Sequence, residues 1–295
     1  MSAVAAAAVR RPRRPGRRKI TNRALLYLAL VFYLAIAIFP LYWMFMAAFK
    51  EDVDLIDPGV SPFWFKRPLS LAHFDVLFRQ TDFLRWYSNT YLIAAAVLVI
   101  TLVVCIPGAY ALARLHMPGG EHFAIGLFLT YLVPPTLLFL PLSQIVSGGL
   151  AMGNNKWALV LVYPTFTVPF CLWLMMGFFK RVPVEIEEAA LVDGCNRFQA
   201  VLRVVLPVSV PGILTTAIFA FTLAMQDFVY ALTFTSSSSQ QPLNVGIPDS
   251  LIRGDIYFWG ELMAAALLAG LPVAILYNFF LDYFVEGITG GALKN

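Results

Sequence analysis

Six stretches of this sequence are long and apolar enough to cross a lipid bilayer, and nothing else about the chain restricts its fold as strongly. A helix needs about 20 apolar residues to span the hydrocarbon core. The runs at 24–49, 88–113, 123–145, 156–179, 210–234 and 262–284 all reach that length. Only 13% of the 295 residues are charged, against about a quarter in soluble domains. Mean hydropathy is +0.75. These features predict an all-α transmembrane protein with six transmembrane helices. The first run is too long for the apolar core of a signal peptide and reads as a retained anchor. A twin-arginine export signal is the alternative, but the arginines lack its surrounding motif.

The net charge of +4 conceals an uneven distribution, with eight of the 21 Lys and Arg residues before Leu25. Residues 1–24, rich in Ala, Arg and Pro, are expected to be a disordered basic tail. Six spans put both termini on one side, and that side carries 14 Lys and Arg against seven on the other. The positive-inside rule then makes the N- and C-termini cytoplasmic, together with the loop at 180–207. The tail has no aromatic interleaving, so it is read as an orientation signal and not as a nucleic-acid site. Residues 25–87 hold the first helix and an extracytoplasmic segment, in which Phe63, Trp64 and Phe65 suit the headgroup region. Residues 88–285 form the core of five helices, and 286–295 a cytoplasmic tail. Cys105, Cys171 and Cys195 lack the spacing of a disulfide framework or metal site. His73, His116 and His122 are scattered and read as surface or interfacial histidines.

Between the fourth and fifth spans lies the longest amphipathic, charge-bearing segment, Pro183 to Pro207. It predicts two short helices joined at a glycine. Pro183 suits the first helical position, and Glu185, Glu187 and Glu188 follow where the helix dipole favours negative charge. Gly194 can adopt the left-handed conformation that ends a helix. Asn196 and Gln199 have the spacing of a capping box for the second helix. Phe198, Val201, Leu202 and Val205 then share one apolar face, and Pro207 closes the unit. Taken by itself, this pattern also describes an ordinary interfacial helix pair.

Two further features lie inside the spans. Pro107, Pro134, Pro135, Pro164, Pro169 and Pro272 predict bent helices, either as simple kinks or as the lining of a translocation path. Asp227 sits in the fifth span, where a charge costs about 2.5–3.5 kcal/mol to insert and is expected to face the bundle interior. An interhelical hydrogen bond and a functional site are both compatible with that position.

Glu188-Ala189-Ala190, three residues, Gly194, nine residues, then Val204-x-Leu206-Pro207 resembles the E-A-A-x3-G-x9-I-x-L-P loop of bacterial ABC-importer permeases. Val204 in place of isoleucine is its one departure. Ala109 to Arg114 with Pro118-Gly119, and Gly287 to Lys294, are similar to stretches of the carbohydrate branch, which includes the maltose-type second permease subunit. The resemblance runs from the first span onward. It implies the type I ABC-importer permease fold, placement in the bacterial inner membrane, and a transport subunit that is not itself an enzyme. Implied partners are a second permease subunit, a cytoplasmic ATPase dimer holding ATP and Mg, an extracytoplasmic solute-binding protein and membrane lipid. The implied ATPase-coupling residues are Glu188, Ala189, Ala190, Asp193, Gly194, Leu206 and Pro207. Met225-Gln226-Asp227-Phe228 resembles the family's Trp-Asn-Glu/Asp-Phe only at the acid and the Phe, so Gln226, Asp227 and Tyr230 stand as candidates for the translocation path.

No phosphate loop of the G-x-x-x-x-G-K-[ST] type occurs, so ATP and Mg binding is not expected in this chain. No nucleophile–base pair, metal quartet or dinucleotide fingerprint is present either. The competing reading is a stand-alone secondary transporter that uses Asp227 for ion coupling.

Overall fold

The structure, a computed structural model, describes residues 17–115 and 117–289. The first helix, α1 (Arg17–Phe49), is followed by the short α2 (Asp52–Ile56) and α3 (Ala72–Gln80). Then come α4 (Phe83–Arg114), α5 (Gly120–Tyr131) and α6 (Pro135–Ser143), the last running into a π turn at Gln144–Gly149. Next are α7 (Lys156–Val162), α8 (Pro164–Arg181), α9 (Val184–Val192) and α10 (Arg197–Ala200). A second π turn, Val201–Val205, leads into α11 (Leu206–Val208) and α12 (Val210–Gln226). The chain finishes with α13 (Val229–Phe234), α14 (Leu243–Leu251), a two-stranded antiparallel hairpin of β1 (Ile252–Arg253) and β2 (Ile256–Tyr257), and α15 (Trp259–Thr289).

Among the described residues, four segments are long and apolar enough to cross a membrane: Leu25–Phe49, Phe83–Arg114, Lys156–Arg181 and Trp259–Leu281. Counting each of two bent pairs as one span gives six. Gly120–Tyr131 with Pro135–Gly149 bends by 89°, and Arg197–Val208 with Val210–Gln226 by 75°. The six expected spans fall within the four to six that length and composition give, with changed boundaries. The second begins at Phe83 and the sixth at Trp259. The fifth does not run unbroken to Phe234, because the helix stops at Gln226 and restarts at Val229. Residues 17–23, expected to be disordered, are helical. Residues 1–16 of the basic tail and 290–295 of the C-terminal tail lie outside the described residues, as does His116.

The prolines divide into two groups. Pro134 and Pro135 sit at the 89° break and Pro164 at the α7–α8 junction. Pro107, Pro169 and Pro272 lie inside α4, α8 and α15, which continue through them. A proline in a membrane helix is tolerated where neighbouring helices re-satisfy the freed backbone groups, and α4 and α8 are the most extensively packed pair in the molecule.

Lipid tails are as apolar as leucine, so helices in a bilayer associate through close packing and hydrogen bonds. The core follows that rule. Ala94, Ala109, Ala220, Ala264 and Ala265 are fully buried at the contacts, and the Thr101 and Thr167 hydroxyls meet at 2.8 Å between α4 and α8. Large apolar side chains instead cover the outside, as along the exposed length of α1. Trp64 and Phe63 are exposed beyond its end.

His73 departs from its expectation as a surface histidine and is only 2% exposed. His122 is exposed. The sequence could not show that α3 packs on α15 and brings His73 Nδ1 to 3.2 Å from Glu261 Oε1. Its Nε2 lies 2.7 Å from the Lys50 carbonyl and 4.0 Å from Asp52 Oδ1. Gly260 makes this possible, since a Cβ there would fall 2.2 Å from the imidazole. Both ring nitrogens face oxygen acceptors, an arrangement suited to the imidazolium. The His73 pKa is accordingly raised above its usual 6.5, mainly by the hydrogen bond to Glu261. A raised pKa contributes stability that is complete below the unfolded-state value and is lost as pH rises through the folded-state value. His73→Gln should therefore lower the thermal midpoint in detergent most at acidic pH, with the gap to the parent closing under alkaline conditions. A gap independent of pH would show that the ring acts by packing alone.

Candidate coupling loop and intramembrane cavity

The segment after α8 folds as two helices at a glycine, as its sequence predicts. Gly194 has φ +91°. Its N–H donates to the Leu191 carbonyl, and the Cys195 N–H donates to the Ala190 carbonyl at 3.0 Å. This paired pattern is a Schellman end, which satisfies the last carbonyls of α9. The capping box also forms, with Asn196 Oδ1 accepting from the Gln199 N–H at 2.9 Å and Gln199 Oε1 from the Asn196 N–H at 3.0 Å. Pro183 is the N-cap of α9, one position before the expected one.

Beyond Asn196 the reading needs two corrections. Phe198, Val201, Leu202 and Val205 do not form one buried face: Val205 is buried and Val201 half-buried, but Phe198 is 71% and Leu202 48% exposed. The π turn at Val201–Val205 widens the helix, so the 3.6-residue period used to align these side chains does not apply there. Pro207 does not close the unit either, because it lies in the first turn of α11 and the helix ends at Ser209.

Of the candidate coupling residues, Glu188, Ala189, Asp193, Gly194 and Pro207 are exposed. Ala190 is buried and Leu206 half-buried. Val192, 87% exposed, and Phe198 add apolar surface around the glycine turn. The missed residue is Glu187. It was read only as a first-turn acid, yet it is buried and accepts a hydrogen bond from Tyr110 Oη. Arg114 Nε lies 3.8 Å from Glu187 Oε2, and Arg114 Nη2 donates to the Val182 carbonyl. Tyr110 and Arg114 are one turn apart near the end of α4, and that i, i+4 pairing was the available signal.

Gln226, Asp227 and Tyr230, separated from that loop by most of α12, come together around a cavity of about 430 Å³. Tyr131, Pro135, Thr165 and Phe166 contribute the other walls. The cavity thus lies where two helix interruptions face each other, one at 132–134 and one at 227–228. Asp227 is half-buried at the end of α12. Its Oδ2 accepts from the Ala231 N–H at 3.0 Å, and the Tyr163 phenol faces it. The carboxylate therefore caps α13, a local role that a continuous helix would not require. Tyr230 is fully buried and stacks on Phe166 at 5.9 Å, with the Thr165 hydroxyl beside its own.

Residues 120–290 match the family described as binding-protein-dependent transport system inner membrane component. The chain is also 33% identical, over 87% of its own length and 92% of the relative's, to the diacetylchitobiose uptake system permease protein DasC of Streptomyces coelicolor. It is 30% identical, over 94% and 99%, to the trehalose/maltose transport system permease protein MalG of Thermococcus litoralis. Its fold is that of a chain in a bacterial ABC transporter involved in the import of the acidic polysaccharide alginate, with a TM-score of 0.77, 19% identity, and coverage of 92% of this chain and all of the other. The protein belongs to the family of inner membrane permease components of binding-protein-dependent transport systems.

The cap at Asp227 makes a direct prediction. Asp227→Ala should destabilise the protein by about 1 kcal/mol, the usual cost of losing such a cap. Asp227→Asn, which keeps an acceptor oxygen, should stay near the parent in thermal unfolding. Equal losses for Ala and Asn would mean that the charge, and not the cap, matters for stability.

Proposed function

We propose that this chain is one of two permease subunits of an ATP-driven importer for a sugar or sugar-like solute. Its partners are a second permease, a cytoplasmic ATPase dimer that binds ATP and Mg, and a solute-binding protein outside the membrane. The observation that carries the reading is the loop from Glu188 to Pro207. It presents the full E-A-A-x3-G spacing on a helix closed by a left-handed glycine, with an exposed apolar tip. The membrane sidedness of Lys and Arg supports a cytoplasmic position for this loop and both termini. The carbohydrate systems named for DasC and MalG support the solute class.

In this reading Glu188, Ala189, Asp193, Gly194 and Pro207 form the exposed surface presented to the ATPase, while the buried Ala190 and the half-buried Leu206 hold the loop from behind. Closure of the ATPase on ATP displaces the loop and alternates access to the cavity beside Gln226, Asp227 and Tyr230. Broken helices at membrane depth are tolerated where they line such a cavity. A stand-alone ion-coupled transporter is less well supported, because Asp227 already serves as a helix cap and the family is that of multi-component systems.

Affinity purification of the tagged chain in mild detergent should recover a second six-span permease and an ATPase, identified by mass. A chain that purifies alone and still transports after reconstitution would sink the proposal. Gly194→Val should insert in the membrane yet abolish coupled transport, since a β-branched residue at φ +91° is a genuine backbone outlier. Normal transport by that variant would remove the glycine turn from the mechanism.

A further inference from the structure

We infer that Glu187, held by Tyr110 and Arg114, is the positioning residue through which movement of the coupling loop enters the transmembrane bundle. The inference rests on the proposal that the loop around Glu188–Gly194 docks on an ATPase, and extends it to a residue outside that surface.

Helix α9 packs chiefly against α10 and the π turn of its own loop. A displacement of α9 therefore needs a separate connection to reach the membrane helices. Glu187 supplies one, because it points the opposite way from the exposed Glu188 and Ala189 and is 7% exposed. It meets the end of α4 through the Tyr110 hydroxyl and the Arg114 guanidinium, whose side chain is 8% exposed. Arg114 also grips the Val182 carbonyl in the link between α8 and α9. Tyr110 is itself fixed edge-on against Phe179 of α8, with ring centroids 5.9 Å apart. Three elements thus converge on one carboxylate.

The chemistry makes the connection stiff. A buried carboxylate separated from its donor and counter-charge is strongly disfavoured. Sliding α9 along α4 strips Glu187 of both, so the low-energy response is for α9 and the end of α4 to move together. Apolar contact alone has no such directional penalty, because it is non-directional. Chain connectivity through Val182 and Pro183, where the proline ring fixes one φ, still leaves the angle of the link adjustable. The ion pair removes that freedom.

The test uses the whole transporter, with its partner permease, ATPase and binding protein, in lipid nanodiscs. Spin labels are placed at Val192→Cys and Leu115→Cys in a Cys195→Ser background, and their separation is measured with and without trapping by ATP and vanadate. In the parental protein the separation should stay narrow and unchanged on trapping, since the two positions belong to one moving body. Glu187→Ala should broaden and shift it in the trapped state only, while the ATPase still co-purifies and hydrolyses ATP. Glu187→Gln, which keeps the shape and the Tyr110 contact but loses the charge, should give a smaller version of that change. If Glu187→Ala fails to assemble, Glu187→Gln and Tyr110→Phe carry the same measurement. An unchanged distribution in the variants with the ATPase bound would overturn the inference. An ATPase absent from the parental complex would instead overturn the docking proposal on which it rests.

Discussion

Water is missing from a bilayer core, so each backbone N–H and C=O there needs a partner supplied by the protein. That constraint governs both the continuous helices and the places where this chain departs from them. The interruptions at 132–134 and 227–228 are not spread over the lipid-facing surface. They face each other across one cavity, where bent backbone can be served by protein groups or by water. Asp227 answers part of the demand, with its carboxylate taking the Ala231 N–H that a helix running through Asp227 would have bonded to the Asp227 carbonyl instead. An expensive intramembrane charge is thereby used to terminate and restart a helix beside the cavity.

The same economy of partners appears at the two ends of the bundle. Glu187 and Arg114 are buried together near the glycine-turned loop, and His73 and Glu261 are buried together at the far end, beside the C-terminal end of α1. Each pair joins segments that are remote in sequence, which gives it a different character from the exposed i, i+4 ion pair Arg79–Asp75. Exposed pairs of that kind contribute little. Buried ones fix relative position, because either member left alone is costly.

What the sequence disclosed follows from the range of the interactions involved. The spans were legible because bilayer crossing depends on local composition. The end of α9 was legible because the Schellman turn at Gly194 and the Asn196–Gln199 box involve residues within a few positions of each other. Glu187 and His73 were misread because their partners, Tyr110 and Glu261, are set by packing. The split between Gln226 and Val229 was hidden by an unbroken apolar run, and only the carboxylate of Asp227 hinted at it. Phe198 and Leu202 share one face with Val205 only under a regular helical period. The π turn at Val201–Val205 breaks that period, and nothing in the local residue pattern announces it.

Helix α4 extends without interruption for 32 residues, carrying Pro107 within it, a length of about 48 Å at 1.5 Å per residue. At one end it holds Glu187. At the other, Asn89 Nδ2 donates to the carbonyls of Ser239 and Gln241, Trp86 Nε1 donates to that of Ser238, and the Thr90 hydroxyl receives the Leu243 N–H. The serine-rich segment between α13 and α14 is thus fastened to the same rod as the glycine-turned loop on the opposite face. The path between the two surfaces along α4 does not run through the cavity. One continuous rod beside the cavity thus ties the two surfaces together.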